Sequence, residues 1–114
     1  MANMNWIPLT SENQLEQIRE NSKQKPQLIF KHSIRCGISS MAKSRLERSQ
    51  PPGSIDFYYL DLINYRSISN KLSEIFNVVH ESPQVLLIKN GDCVYEESHS
   101  GIRMEEIVEQ ADVF

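Results

Sequence analysis

Residues 27–39 read Gln27-Leu28-Ile29-Phe30-Lys31-His32-Ser33-Ile34-Arg35-Cys36-Gly37-Ile38-Ser39. The apolar run Leu28-Ile29-Phe30 predicts a buried strand over Gln27 to His32. Beyond it, apolar residues recur at helical spacing, so a helix is predicted from Cys36 to about Ser49. A cysteine is therefore expected where a short polar loop carries a buried strand into a helix.

The rest of the sequence alternates helical and strand-like segments. A first helix is predicted from Thr10 or Ser11 to Lys25-Pro26, because Ser11 and Gln14 have the spacing of a capping box. A strand follows over Ile55 to Leu62, and then a helix carrying Ile68, Leu72, Ile75 and Phe76. Val85 to Lys89 and Cys93 to Glu97 are predicted to form a hairpin that turns at Asn90-Gly91. The last element is a helix carrying Met104, Ile107, Val108 and Ala111. A further short strand is allowed near Trp6 to Leu9.

The order of these elements predicts an α/β fold. Strands that alternate with helices are typically parallel and joined by right-handed crossovers, and the last hairpin adds antiparallel strands. We therefore expect a central mixed sheet with helices on both faces. At 114 residues the chain has the length of one domain, taken as residues 1–114.

The composition argues against several classes of protein. Twelve basic and fifteen acidic residues give a net charge of −3, so neither nucleic acid nor a membrane is expected as a partner. No apolar stretch approaches the roughly 20 residues of a membrane-spanning helix. Two cysteines are too few for the disulfide framework of a small secreted domain. The first residues also do not resemble a signal peptide. A cytoplasmic location is therefore expected. The cysteines and the three scattered histidines lack metal-ligand spacing, so no metal site is expected.

Cys36 is the candidate reactive residue. A helix N-terminus offers free N–H groups and a partial positive charge, and both favour the thiolate, which is the nucleophilic form of cysteine. Arg35 adds a full positive charge beside it, and His32 would add another when protonated. A lone cysteine can also be a small buried filler, but the polar neighbours of Cys36 favour reactivity.

The sequence Cys36-Gly37-Ile38-Ser39 indicates a monothiol mechanism. A second cysteine at position 39 would resolve a mixed disulfide within the molecule, whereas Ser39 cannot. The Ser39 hydroxyl can donate a hydrogen bond to the thiolate, it can satisfy a backbone donor in the first helical turn, and the two roles are compatible. We expect Arg35, Gly37 and Ser39 to stabilise the thiolate of Cys36.

These features resemble the thioredoxin superfamily over essentially the whole chain. A cysteine follows the first central strand, Glu81-Ser82-Pro83-Gln84 precedes the hairpin, and Gly101 follows it. The stretch 30–39, taken with His80-Glu81-Ser82-Pro83-Gln84, is similar more specifically to the YtxJ-type monothiol bacilliredoxins. In that family a proline commonly follows the cysteine, where this chain has Gly37.

The resemblance implies a thioredoxin-like fold and an enzyme that reduces mixed disulfides between proteins and a low-molecular-weight thiol, bacillithiol. Bacillithiol would be a co-substrate rather than a bound cofactor, and S-thiolated proteins formed in a stress response would be the partners. The resemblance also implies that Pro83 follows a cis peptide bond and faces Cys36. Ser82, Pro83, His32 and Gly101 are then the residues expected to contact substrate.

Two other functions stay open at this point. Cys-Gly-x-Ser also occurs in monothiol glutaredoxins, which bind glutathione and a bridging 2Fe–2S cluster, but position 38 here is isoleucine rather than the phenylalanine of that motif. The third hypothesis is a non-catalytic thioredoxin-like adaptor whose cysteine is only modified under stress.

Cys93 is not expected to act as a resolving thiol. It directly follows the predicted Asn90-Gly91 turn, at the end of the hairpin remote from Cys36. Counting strand residues at roughly 3.3 Å each puts it about 17 to 26 Å from Cys36, whereas a disulfide needs Cα atoms within about 7 Å. His80 and His99 are predicted to be surface histidines, His99 being close to the rim of the site.

Overall fold

The computed structural model describes residues 5–33, 37–49 and 51–112. Its strands are β1 (Ile7–Pro8), β2 (Gln27–His32), β3 (Asp56–Asp61), β4 (Gln84–Lys89) and β5 (Asp92–Ser98). Its helices are α1 (Asn13–Asn21), α2 (Gly37–Arg48), α3 (Arg66–Phe76) and α4 (Met104–Ala111), with a 3-10 turn at His99–Gly101 before α4. The predicted order of elements is confirmed, including the short first strand. None of the helices in the described ranges has both the length and the apolarity needed to span a bilayer.

The five strands form one mixed sheet in the order β1-β3-β2-β4-β5. β3 runs parallel to β1 and β2, while β4 runs antiparallel to β2 and β5. Lys31, near the end of β2, pairs in register with Gln84, the first residue of β4. The C-terminal end of β2 therefore lies beside the segment that leads through Pro83 into β4.

Helices cover both faces of the sheet, as predicted. One apolar cluster packs α2 and α4 against one face, and a second packs α1 and α3 against the other. Successive residues of β2 alternate between them, since Leu28 and Phe30 belong to the first cluster and Ile29 to the second. By the same alternation, His32 lies on the α2 side of the sheet and Lys31 on the α3 side.

Helix α1 begins at Asn13, later than the predicted Thr10 or Ser11, because only half of the capping box forms. The Oε1 atom of Gln14 accepts hydrogen bonds from the N–H groups of Thr10 (2.7 Å) and Ser11 (3.0 Å). The Gln14 N–H donates to the backbone carbonyl of Ser11 (3.2 Å) rather than to its hydroxyl. Gln14 also donates to the Pro8 carbonyl (2.9 Å), which ties the start of α1 to β1.

The β4–β5 hairpin turns at Asn90 and Gly91, as predicted. Both residues have positive φ, 52° and 83°, which a tight two-residue hairpin turn requires. Their N–H groups donate to the carbonyl and the hydroxyl of Ser22, and these bonds fasten the turn to the end of α1. Cys93 pairs with Ile88, which pairs with Gln27 at the start of β2. Cys93 is therefore at the end of the sheet opposite to His32.

Candidate active site

Cys36, Arg35 and Ile34 lie outside the described residues, so the site is defined by the groups around them. β2 ends at His32 and α2 begins at Gly37, which confirms the predicted passage from a buried strand into a helix. The first turn of α2 holds no acidic residue, and its last turn carries Arg45 and Arg48. No carboxylate of that first turn offsets the partial positive charge at the helix N-terminus. The stabilising role of Arg35 stays a prediction.

The hydroxyl of Ser39 is fully buried and contacts His32, the last residue of β2, and Ser33, the residue after it. Its Oγ accepts a hydrogen bond from the N–H of Ser33 (3.1 Å) and lies 2.6 Å from Nδ1 of His32. Ser39 thus satisfies a backbone donor, as predicted, but that donor is Ser33 before α2 rather than a residue of the first helical turn. A hydroxyl has one proton, so if Ser39 donates it to His32, none is left for the thiolate of Cys36.

The ring of His32 is buried between aromatic side chains. It stacks on Phe30, with ring centroids 5.7 Å apart, and lies 5.5 Å from the ring of Tyr59. Burial, assisted by the charge of Lys43, lowers the pKa of His32 below its usual value of 6.5. The ring is consequently neutral at neutral pH and adds no positive charge there. Its tautomer decides whether the Ser39 proton points to His32 or is free for the sulfur.

A small polar network holds α2 over this ring. The Nζ atom of Lys43 lies 2.6 Å from a carboxylate oxygen of Glu47 and 5.6 Å from the ring centroid of Tyr59. The indole N–H of Trp6 donates to the same oxygen of Glu47 (2.8 Å). These contacts tie α2 to Trp6, the residue before β1, and to Tyr59 of β3. Sequence reasoning did not find them, since Trp6 and Glu47 are distant in the chain.

Pro83 follows a cis peptide bond from Ser82, which confirms the expectation carried by the family resemblance. The buried side chain of Gln84 organises the loop before it. Gln84 donates to the carbonyl of Val79 (3.0 Å) and accepts from the N–H of Glu81 (3.3 Å). The hydroxyl of Ser82 is buried without a hydrogen-bond partner among the described residues.

Gly101 lies against the side chain of Glu97. A Cβ atom at position 101 would lie 2.6 Å from Cδ of the Glu97 side chain, so any larger residue would displace that carboxylate. The segment that contains Gly101 is bonded to the cis-proline loop, since the N–H of His99 donates to the carbonyl of Pro83 (3.0 Å). It is also bonded to α2 through Arg45, whose Nε donates to the carbonyl of Ile102 (2.8 Å).

The structure therefore brings most of the predicted site to one end of the sheet. His32 and Ser39 are in contact, and Pro83 and the 3-10 turn with Gly101 are linked by a backbone hydrogen bond. Gly37 is exposed at the first position of α2, and a side chain there would meet no atom within 4 Å. The substrate contacts of these residues stay predictions. Within residues 5–33, 37–49 and 51–112, no group of three metal-ligating side chains is found.

Sequence reasoning missed a second polar pair at this end of the sheet. Lys31 is fully buried, and its Nζ atom lies 2.8 Å from Nδ1 of His80 in the loop before Pro83. A carboxylate oxygen of the next residue, Glu81, lies 3.6 Å from Nε2 of His99, and the two form an ion pair only when His99 is protonated. His80 and His99 are exposed, as predicted, but each has a partner. A lysine directly after the apolar run Leu28-Ile29-Phe30 was the available signal, since buried lysine is rare unless paired.

Comparison with known proteins first gives the class. A solved structure described as an oxidoreductase with a thioredoxin fold is 32% identical, with a TM-score of 0.80 over 91% of each chain. Two thioredoxins share the fold. The thioredoxin of Malassezia sympodialis is 18% identical, with a TM-score of 0.76 over 97% of this chain and 95% of the other. The thioredoxin of Trypanosoma brucei brucei is 14% identical, with a TM-score of 0.74 over 93% of this chain and 87% of the other. The protein is thus a thiol oxidoreductase of the thioredoxin fold.

The family follows from the sequence match. Residues 7–107 match the model of the monothiol bacilliredoxin BrxC. The chain belongs to the monothiol bacilliredoxin family, and the resemblance seen in residues 30–39 and 80–84 is confirmed.

Proposed function

We propose that the protein reduces mixed disulfides between proteins and bacillithiol, with Cys36 as its only catalytic thiol. The observation that carries the proposal is the burial of Ser39 at the position where a dithiol enzyme has its second cysteine, three residues after Cys36. The Ser39 hydroxyl is held by His32 and by the Ser33 N–H. A residue locked in this way supports the first cysteine but cannot exchange a disulfide.

In the first half-reaction, the Cys36 thiolate attacks the bacillithiol sulfur of an S-thiolated protein. A disulfide forms between Cys36 and bacillithiol, and the original protein–bacillithiol disulfide breaks. The released protein sulfur leaves with the electron pair of that bond and takes up one proton. The protein substrate is thereby reduced, and the enzyme carries the mixed disulfide.

In the second half-reaction, a second molecule of low-molecular-weight thiol attacks the bacillithiol sulfur bound to Cys36. The leaving group is the Cys36 thiolate, and the product is the disulfide of the two small thiols. The two small thiols together supply the two electrons that reduce the protein. Reduced small thiols of this kind are maintained in the cytoplasm, which is where we place the reaction.

Cys93 has no part in this cycle. It is the second residue of β5, next to the hairpin turn, at the end of the sheet opposite to His32. Burial raises the pKa of its thiol to about 11, so almost none of it is thiolate at neutral pH. Its sulfur donates a hydrogen bond to the carbonyl of Tyr95 (3.4 Å).

A protein substrate is supported by the exposed apolar surface of α2. Ile38 and Met41, two and five residues after Cys36, are 57% and 66% exposed. They are three residues apart on a helix and so share one face. Apolar side chains at the head of α2 offer a docking surface to the polypeptide around a modified cysteine, which a small thiol alone would not need.

The proposal is tested with one protein substrate modified either with bacillithiol or with glutathione. Each form is mixed with the reduced enzyme, and mass spectrometry follows which adduct moves to Cys36 and how fast. Faster transfer from the bacillithiol form, lost in Cys36→Ser and kept in Cys93→Ala, is the expected result. Preferred transfer of glutathione, or a brown iron-containing protein on purification, would favour the glutaredoxin-like alternative. No transfer from either form would favour the adaptor.

A further inference from the structure

The outer face of α2 changes from apolar to basic along its length. Ile38 and Met41 are exposed near its start, and the two arginines of its last turn, Arg45 and Arg48, follow Met41 at four and seven residues. Residues at these spacings share one face of a helix. The face is therefore apolar at the end of α2 that follows Cys36 in the chain, and basic at the other end.

The basic end of this face forms an open groove of about 330 Å³. It is lined by Ser40, Met41, Ser44, Arg45 and Arg48. The serine hydroxyls and the guanidinium groups can all donate hydrogen bonds to a carboxylate, and guanidinium groups do so most strongly. The side chain of Met41 adds an apolar contact. The lining therefore suits an acidic side chain.

The positive charge of the groove is not paired within the described part of the chain. Glu47 is the sole acidic residue of α2, and its carboxylate is held by Lys43 (2.6 Å) and by the indole N–H of Trp6 (2.8 Å). None of the ion pairs within residues 5–33, 37–49 and 51–112 involves Arg45 or Arg48. Charge complementarity thus favours an acidic partner. A phosphate backbone is a poorer occupant, because the chain as a whole has a net charge of −3.

Hydrogen bonds join this groove to the cis-proline loop. The Nε atom of Arg45 donates to the carbonyl of Ile102 (2.8 Å), and its Nη2 donates to the carbonyl of His99 (3.4 Å). The N–H of His99 donates in turn to the carbonyl of Pro83 (3.0 Å). Arg45 is therefore half-buried and held in place, whereas Arg48 is exposed. Both are on the helix that packs over the His32 side of the sheet.

We propose that this groove binds an acidic side chain of the S-thiolated protein substrate, about four or five residues from the modified cysteine. The proposal rests on the proposed function and names the class of protein that it favours. At a rise of 1.5 Å per residue, Arg45 and Arg48 are about 12 and 17 Å along α2 from Gly37, the residue after Cys36. An extended polypeptide, at roughly 3.3 Å per residue, covers that distance in about four to five residues. Such a segment would cross Ile38 and Met41 before it reaches the arginines.

The test uses three peptides that contain one cysteine S-thiolated with bacillithiol. They differ only at the fourth and fifth residues on both sides of that cysteine, which are Glu, Gln or Lys. Turnover is measured with the wild type, Arg48→Gln and Arg48→Glu, and the mixed disulfide of bacillithiol with free cysteine is the small substrate. For the wild type, KM should rise from the Glu to the Gln to the Lys peptide.

Arg48 is the residue to change because it is exposed, whereas Arg45 also holds the 3-10 turn. Arg48→Gln should raise KM for the Glu peptide by about two- to fivefold. Arg48→Glu should reverse the order, so that the Lys peptide becomes the best substrate. Both variants should react with the small substrate as the wild type does. The preference for Glu should also weaken at about 1 M salt, which screens exposed charges.

Arg19→Gln is the matched control. It removes the same charge from an exposed position of α1, which packs on the opposite face of the sheet, and should leave all KM values unchanged. Equal KM values of the wild type for the Glu and Lys peptides would overturn the proposal.

Two other results would assign the groove to a different occupant and so overturn the proposal. An equal effect of Arg48→Glu on the small substrate would mean that the groove binds the small thiol. A dimer of the wild type that Arg48→Glu dissociates would mean that it holds a second copy of the chain. Failure of all four substrates to react would instead refute the proposed function.

Discussion

The Nδ1 atom of His32 lies 2.6 Å from Oγ of Ser39, across the junction between β2 and α2. Both side chains are buried, and Ser39 also accepts the N–H of Ser33 (3.1 Å). One hydroxyl thus links the end of β2 to the first turn of α2, which precede and follow Cys36 in the chain. The arrangement gives Ser39 a structural role that does not depend on whether it also donates to the sulfur.

Ser39→Ala should therefore destabilise the protein as well as alter its chemistry. The substitution leaves the Ser33 N–H and the His32 Nδ1 without their partner in a buried place, at a cost of about 1–3 kcal/mol. Urea unfolding measures the loss. Ser40→Ala, at the exposed next position, is the matched control and should change stability by less than about 0.5 kcal/mol. Equal stability of the two variants would show that the hydrogen bonds of Ser39 contribute nothing.

The stability of the protein should fall as the pH drops from 7 to 5. Burial lowers the pKa of His32 in the folded state, and that of His80 is lowered in the same way. The unfolded chain, with histidine near 6.5, then binds more protons than the folded protein, so acid favours unfolding. Unfolding curves across this range measure how the free energy of unfolding changes with pH, and this change should be smaller in His32→Gln. A slope unchanged by that substitution would mean that His32 titrates alike in both states.

The thiol of Cys36 should ionise below the ordinary value of about 8.5. The N-terminus of α2 and the charge of Arg35 both favour the thiolate, and no acidic residue in the first helical turn opposes them. The rate of alkylation as a function of pH measures this pKa in the Cys93→Ala background. Arg35→Glu should raise the pKa and slow transfer. A wild-type value at or above 8.5 would contradict the prediction.

Much of the fold was predictable because its signals are local. The apolar run of β2 has the predicted bounds, and the Asn90-Gly91 turn needed only the two positive φ angles that such a pair favours. The polar pairs of the site were not predictable in this way. Lys31 and His80 are 49 residues apart in the chain, and Trp6 and Glu47 are 41 residues apart. Such contacts leave no periodic pattern, since register and packing alone bring the partners together.

Substitutions on the exposed face of α2 should weaken the reaction with protein substrates only. Replacing Ile38 and Met41 by serine removes apolar surface that a docked polypeptide would cover, at about 1 kcal/mol for partial burial of each side chain. That loss corresponds to about a fivefold rise in KM for an S-thiolated protein per substitution. A small mixed disulfide should react at the wild-type rate. Val94→Ser, at an exposed site on β5, is the control for lost apolar surface. Equal effects on small and protein substrates would refute docking on this face.

Cys93→Ala should leave turnover nearly intact, whereas Cys36→Ser should abolish it. Cys93 pairs with Ile88, which pairs with Gln27 at the start of β2, and five residue steps lead along β2 from Gln27 to His32. At roughly 3.3 Å per residue that is about 17 Å of strand, far beyond the roughly 7 Å between Cα atoms that a disulfide allows. The buried thiol, with its pKa raised to about 11, would also react slowly. Mass analysis of the mildly oxidised, folded protein under non-reducing conditions decides the matter. An abundant Cys36–Cys93 bridge would contradict the monothiol mechanism, because the hairpin would have to leave the sheet to form it.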